Sequence, residues 1–317
     1  MATPVGFRAL PLPIVQLSLA AVLKCGQSFR WSIFPLLSSN EIATNPSSPT
    51  HEYRFCLRDR LVCLRQSPDT LFYRSIFPDV STSPTQEALK EAETLTWLKD
   101  YFQLDIDLVK LYEEWSNRDP VLNKLRSRFS GIRVLRQDPW ENLVSCVYPW
   151  FARDLRADSW TSRFICSSNN NISRITKMVT SLCKHYSPPL LSLPPPCLPG
   201  EQGAGLEAES YHAFPPPSAL AVPEVGSVLR SLGFGYRAEF IQRTAAMLVN
   251  THGTSITRDQ CETSEKWLMT LRDFKTSAAR EELLKFVGVG RKVADCILLM
   301  SLDKVGSSEP PASLQNA

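Results

Sequence analysis

The sequence predicts an α+β protein: an N-terminal domain built on an antiparallel sheet with helices, followed by an all-α domain. Three observations carry this. Tyr53, Phe55 and Leu57 alternate with polar or small residues, break at Asp59-Arg60, and give way to Leu61-Val62-Cys63-Leu64. That is the pattern of an antiparallel hairpin. From Gln86 to Phe102 the apolar residues instead recur at helical spacing, through Leu89, Ala92, Leu95, Leu98 and Phe102. Beyond Pro139 the strand pattern fades, and helical faces dominate up to a Gly-x-Gly connection at Gly288-Val289-Gly290.

A chain of 317 residues buries a large core and suits two domains. Hydrophobic residues make up 43% and charged residues 21%, the balance of a globular protein. No apolar run reaches the roughly eighteen residues of a membrane span, and no secretory signal is expected at the N-terminus. The nine cysteines are scattered, without zinc-type spacing, so we expect reduced thiols in an intracellular protein and no metal site. Net charge is only +3, but Val121–Gln137 holds Lys124, Arg126, Arg128, Arg133 and Arg136 without one acid. Such a stripe suits phosphates, and equally a solvated helix face.

In chain order, Gly26 follows a short apolar run and precedes Phe29 and Trp31, a bend leading into a strand. Residues 35–49 read as a loop, and Leu71–Tyr73 as a further strand. Leu104–Phe129 reads as two helices around Arg118-Asp119-Pro120, with a domain boundary near 132/133. Asn169-Asn170-Asn171 opens a helix with Ile172, Ile175, Val179 and Leu182 on one face, where Asn is a natural N-cap. Residues 187–205 are proline-rich and read as an extended insertion in the second domain. His212 has no evident partner and is taken as structural. A helix with Val225, Val228, Leu229 and Leu232 on one face ends at Gly233, and another starts at a Ser277 cap.

The chemistry concentrates at the second glycine connection. Gly288 and Gly290 tolerate positive φ and close backbone approach. The helix that follows aims its first amides and its dipole at any anion nearby. Lys292 lies in its first turn, and Cys296 is four residues on, on the same face. Each feature has a plainer reading: a structural turn, a solvated lysine, a buried apolar filler. The run Gly-Val-Gly-Arg-Lys-Val-Ala-Asp-Cys, with Leu299-Met300-Ser301-Leu302-Asp303-Lys304 after it, resembles the helix-hairpin-helix motif of eukaryotic 8-oxoguanine DNA glycosylases. Gly26-Gln27-Ser28-Phe29-Arg30-Trp31 and Leu135-Arg136-Gln137-Asp138-Pro139 resemble further segments of that family.

The resemblance implies an N-terminal α+β domain over 10–132 and a helix-hairpin-helix glycosylase domain over 133–304. It implies a bifunctional glycosylase and AP lyase of base-excision repair, excising 8-oxoguanine opposite cytosine. No cofactor is expected, the partner is double-stranded DNA containing the lesion, and the protein is a monomer resident in the nucleus, with the mitochondrion as the second compartment. Lys292 is then the Schiff-base nucleophile. Gly26 accepts a hydrogen bond from the lesion's N7–H, and Cys296 lies against the extruded base. Asn169, Arg174 and Arg237 contact the orphaned cytosine. Tyr236, otherwise a core tyrosine, is the wedge that fills the gap, and Gly288 and Gly290 approach the DNA backbone.

Three departures from the family stand out. Residues 146–163 interrupt an otherwise contiguous match and read as translated intron sequence; sequencing the spliced transcript tests this. Val287 stands where the family commonly has Pro. The family's catalytic Asp and following helices find no counterpart in 305–317, so the domain is expected to be C-terminally incomplete. Asp295 and Asp303 are both poorly placed to substitute. The second reading of the chain is therefore a catalytically inactive fragment that binds damaged DNA.

Overall fold

The structure is a computed structural model of the 317-residue chain, and it describes residues 3–36, 48–78, 84–147, 172–196 and 207–304. Two compact units emerge: Met1–Leu135 with Cys183–Phe214, and Arg136–Leu182 with Pro215–Ala317. Among the described residues no helix is long and apolar enough to cross a membrane.

The first unit is organised on a five-stranded antiparallel sheet of order β1-β5-β4-β3-β2. Its strands are β1 Arg8–Pro11, β2 Ser32–Pro35, β3 His51–Cys56, β4 Leu61–Gln66 and β5 Thr70–Ile76. The predicted hairpin is β3–β4, in a register that sets Tyr53 opposite Leu64 and Phe55 opposite Val62. Apolar side chains thus meet across the pair, the contact that stabilises a sheet face. Helices α1 (Leu19–Val22) and α2 (Pro84–Tyr101) supply Leu19, Val22, Leu98 and Tyr101 to that same cluster, and Phe102 joins them just past α2. Trp31 joins it, donating from Nε1 to the Tyr101 hydroxyl at 3.1 Å. β1 gives no sequence signal: it has four residues, and Pro11 suits only a sheet edge.

The opposite face carries Phe7, Cys56, Leu61, Cys63 and Phe72, and Tyr211 closes over them. Tyr211 belongs to a two-stranded hairpin of β6 Pro189–Leu193 and β7 Glu209–His212. The proline-rich stretch was assigned to the second domain by sequence; Cys183–Phe214 instead clusters with the first unit. Two arginines tie it down. Arg54 donates to the Tyr211 hydroxyl at 3.0 Å and to the Pro194 carbonyl at 2.8 Å. Arg30 donates to the carbonyls of Cys56 and His212.

Helices α3 (Leu108–Arg118) and α4 (Pro120–Leu125) part where predicted. Asp119 ends one and caps the other, accepting from the amides of Val121 and Leu122, while Pro120 takes the first helical position. The basic stripe beyond divides by role. Arg133 is buried and donates to the carbonyls of Gln103 and Ile106, both at 2.7 Å. Lys124, Arg126 and Arg128 are exposed.

The second unit is helical: α5 (Pro139–Val147), α6 (Ile172–Tyr186, as far as Leu182), α7 (Pro217–Leu220), α8 (Val225–Leu229), a π-turn at Arg230–Phe234, α9 (Arg237–His252), α10 (Thr263–Thr270), α11 (Thr276–Leu284) and α12 (Arg291–Ser301). Ile175, Met178, Val179 and Leu182 are the buried stripe of α6, whereas Ile172 is exposed. Ser277 does not cap α11, which begins one residue earlier with extended Lys275 before it. Trp140 is fully buried and donates to the Pro215 carbonyl at 2.9 Å. Nearly all of the interruption 146–163, and all of 305–317, lie outside the described residues.

Candidate functional site

The site in the second unit begins at the connection between α11 and α12. Phe286 accepts from the Val289 amide at 3.2 Å, which closes a tight turn over Val287 and Gly288. Gly288 has φ 81°, and a Cβ added there would lie 2.6 Å from Cδ2 of Phe240. Only glycine satisfies both the dihedral and the contact. Gly290 is extended at φ −91° and occupies the N-cap of α12, where no side chain caps the helix. The first turn of α12 therefore presents its amides and positive dipole end without a carboxylate in place, the arrangement that receives a phosphate.

Lys292 follows in that first turn, exposed on the helix face opposite Val293, Ala294 and Ile297, which are fully buried. Cys296, one turn on, is half-buried. Burial pushes its thiol up, and the charge of Lys292 takes back part of that rise. The two side chains thus share one edge of α12, as the spacing predicts.

α12 is held at its far end. Asn142 of α5 donates to the Ser301 hydroxyl at 2.7 Å, and the Gln137 amide to the Met300 carbonyl at 2.8 Å. Arg272 donates to the Ser301 carbonyl at 2.8 Å. The last two bonds satisfy carbonyls that a helix terminus leaves open. The two carboxylates weighed by sequence are engaged elsewhere: Asp295 accepts from Arg280 and Asp303 from Arg136, both at 2.9 Å.

Tyr236 precedes α9, and its ring is half exposed, at 51%. The Arg237 guanidinium lies 4.6 Å from the ring centroid, over its face. Phe240 packs against it in a T-shaped pair, centroids 5.8 Å apart at 79°. Arg237 itself is buried, 8% exposed. Arg174 is exposed on the first turn of α6. Asn169 lies outside the described residues.

Sequence reasoning passed over two residues here. Phe240 touches both Gly288 and Tyr236, and the Thr244 hydroxyl donates to the Val287 carbonyl at 3.2 Å. Their spacing from Tyr236 by four and eight residues was available as a signal.

In the first unit, Gly26 sits at φ 87° in a bend before β2. Gln27 fixes this bend: its Nε2 donates to the Arg133 carbonyl at 2.8 Å, and its Oε1 accepts from the Leu135 amide at 2.9 Å. The Ser28 hydroxyl is buried without a hydrogen-bond partner among the described residues. His212 proves to have a partner, the Ser187 carbonyl at 2.8 Å, which links the two ends of the β6–β7 hairpin. No group of three metal-ligating side chains occurs among the described residues.

Against known proteins, a family model described as the N-terminal domain of 8-oxoguanine DNA glycosylase matches residues 9–143. An N-glycosylase/DNA lyase of Saccharomyces cerevisiae is 35% identical over 303 residues, covering 95% of this chain and 67% of the relative. A second, from Arabidopsis thaliana, is 32% identical over 301 residues, covering 93% of this chain and 63% of the relative. The chain thus spans about two thirds of the length of these relatives. Among solved structures, MBOgg1 in complex with a low-affinity DNA ligand is 25% identical, with a TM-score of 0.61 over 95% of this chain and 78% of that one.

Proposed function

The chain belongs to the 8-oxoguanine DNA glycosylase family of N-glycosylase/DNA lyases, and on that premise we propose that it excises 8-oxoguanine opposite cytosine through a Lys292 Schiff base. One observation carries the reading. Lys292 stands in the first turn of α12, directly after the Gly288–Gly290 turn and on one edge with Cys296.

The damaged nucleotide must leave the stack before any side chain reaches its sugar. The hairpin amides hold the DNA backbone while Tyr236 fills the vacated space. The neutral Lys292 amine forms a bond to C1′ as the bond to the base breaks. The amine's proton passes to the departing base, and opening of the sugar ring leaves a C1′ Schiff base. Removal of a C2′ proton then expels the 3′ phosphate, which is the lyase step. Gly26 reads the N7–H of the lesion with its carbonyl, Cys296 covers one face of the base, and Asn169, Arg174 and Arg237 answer the cytosine edge with donors and acceptors. The enzyme works as a monomer in the nucleus. Lys292 is exposed on α12 in the chain alone.

That exposure favours a second reading, a damaged-DNA binder without chemistry. Borohydride trapping on an 8-oxoguanine duplex separates the two. A covalent adduct present in the native chain and lost in Lys292→Gln is expected. Salt-dependent binding with no adduct would establish the second reading instead.

A further inference from the structure

We infer that Phe240 is a positioning residue that couples the Tyr236 wedge to the DNA-gripping hairpin; the inference rests on the wedge role proposed above. α9 presents Tyr236, Phe240 and Thr244 at four-residue intervals, along one stripe of its surface. The Phe240 ring lies so close to Gly288 that an added Cβ would meet its Cδ2 at 2.6 Å and its Cγ at 2.9 Å. The same ring meets Tyr236 edge to face, with centroids 5.8 Å apart. One turn further along, Thr244 pins the Val287 carbonyl of the hairpin at 3.2 Å. Arg237 covers a face of Tyr236 at 4.6 Å. The wedge is thus held by two side chains, and one of them is the ring that seats the hairpin glycine.

This arrangement has a functional consequence. The hairpin fixes where a phosphate sits, and Phe240 fixes how far from that phosphate the Tyr236 ring stands. A ring in place of a lesion must enter at one depth, so the distance between grip and wedge becomes a property of one side chain. Leucine at 240 keeps apolar bulk but removes the flat edge-to-face support. A Cβ at 288 drives the ring away from the hairpin and so disturbs its packing on Tyr236.

The test reads wedge insertion apart from affinity and stability. The native chain is saturated with a duplex carrying 2-aminopurine beside 8-oxoguanine, and the fluorescence amplitude is recorded. Phe240→Leu and Gly288→Ala are each expected to lower that amplitude at least twofold at saturation, with the single effects less than additive in the double variant. Phe240→Tyr, which restores an aromatic edge, is expected to recover most of the signal. Should Tyr236→Ala leave the amplitude at the native value, the wedge reading itself fails. Should Tyr236→Ala abolish it while Phe240→Leu and Gly288→Ala only lower the melting temperature, the coupling is overturned and Phe240 is a packing residue.

Discussion

Gly288 concentrates two constraints in one position: φ of 81° and an aromatic ring against its Cα. Alanine there takes on left-handed strain and must displace Phe240. We expect Gly288→Ala to lower unfolding stability by about 1–3 kcal/mol, measured by urea denaturation, whether or not DNA is present. The thiols give a second residue-scale prediction. Cys25 is exposed, Cys296 is half-buried with its thiol pushed up by burial, and Cys56, Cys63, Cys183 and Cys261 are buried. Alkylation at neutral pH should label Cys25 ahead of Cys296, and both ahead of those four, as peptide mapping by mass spectrometry would show. The Lys292–Cys296 pair was legible because helical spacing alone puts both on one edge. Phe240 was not, because an aromatic residue on an amphipathic helix reads as ordinary core. Only the fold reveals that its two neighbours are Tyr236 and the glycine turn.

The β3–β4 hairpin was legible for the reason hairpins usually are: period-two alternation broken by a polar pair. What the alternation concealed is that its polar face is also covered. Glu52 and Arg54 are each 3% exposed. Arg54 donates to Glu52 at 2.6 Å, and Glu52 accepts from Arg65 as well. With Tyr211 they form a buried, satisfied network beneath the β6–β7 hairpin. Removing one member strands the rest in a dry setting. Arg54→Met is expected to cost about 3–5 kcal/mol in chemical denaturation, well above the cost of an exposed charge substitution. Glu91 of α2 behaves differently. Burial raises its carboxyl above the ordinary range, and the charge of Arg8 at 3.3 Å offsets only part of this. The folded state therefore favours the protonated form. The stability this group lends is fully present below the ordinary carboxylate range and is lost as pH rises through the raised value. Glu91→Gln should accordingly flatten the decline in melting temperature across that window, a comparison made by calorimetry at several pH values.

At the scale of the whole chain, the sequence divided the molecule at one boundary, whereas the first unit is assembled from two separated stretches. Composition could not reveal this. A proline-rich run looks like a linker, and what contradicts that is its partners far off in the chain, Arg30, Arg54 and the Phe7–Cys63 face. A fragment ending at Leu135 is expected to bind a hydrophobic dye such as ANS strongly, because the face beneath Tyr211 is left uncovered. A peptide spanning 183–214 added in trans should reverse that signal.

The same discontinuity bears on how the protein is born. At about 5–20 residues per second, several seconds separate the emergence of the last sheet strand from that of Tyr211. Through that interval the nascent sheet keeps one greasy side open, and Cys56 and Cys63 with it. A ribosome that stalls between the two stretches would release a half-roofed barrel-stave of a domain, prone to oxidation and to capture by chaperones, while one that runs on seals both thiols away.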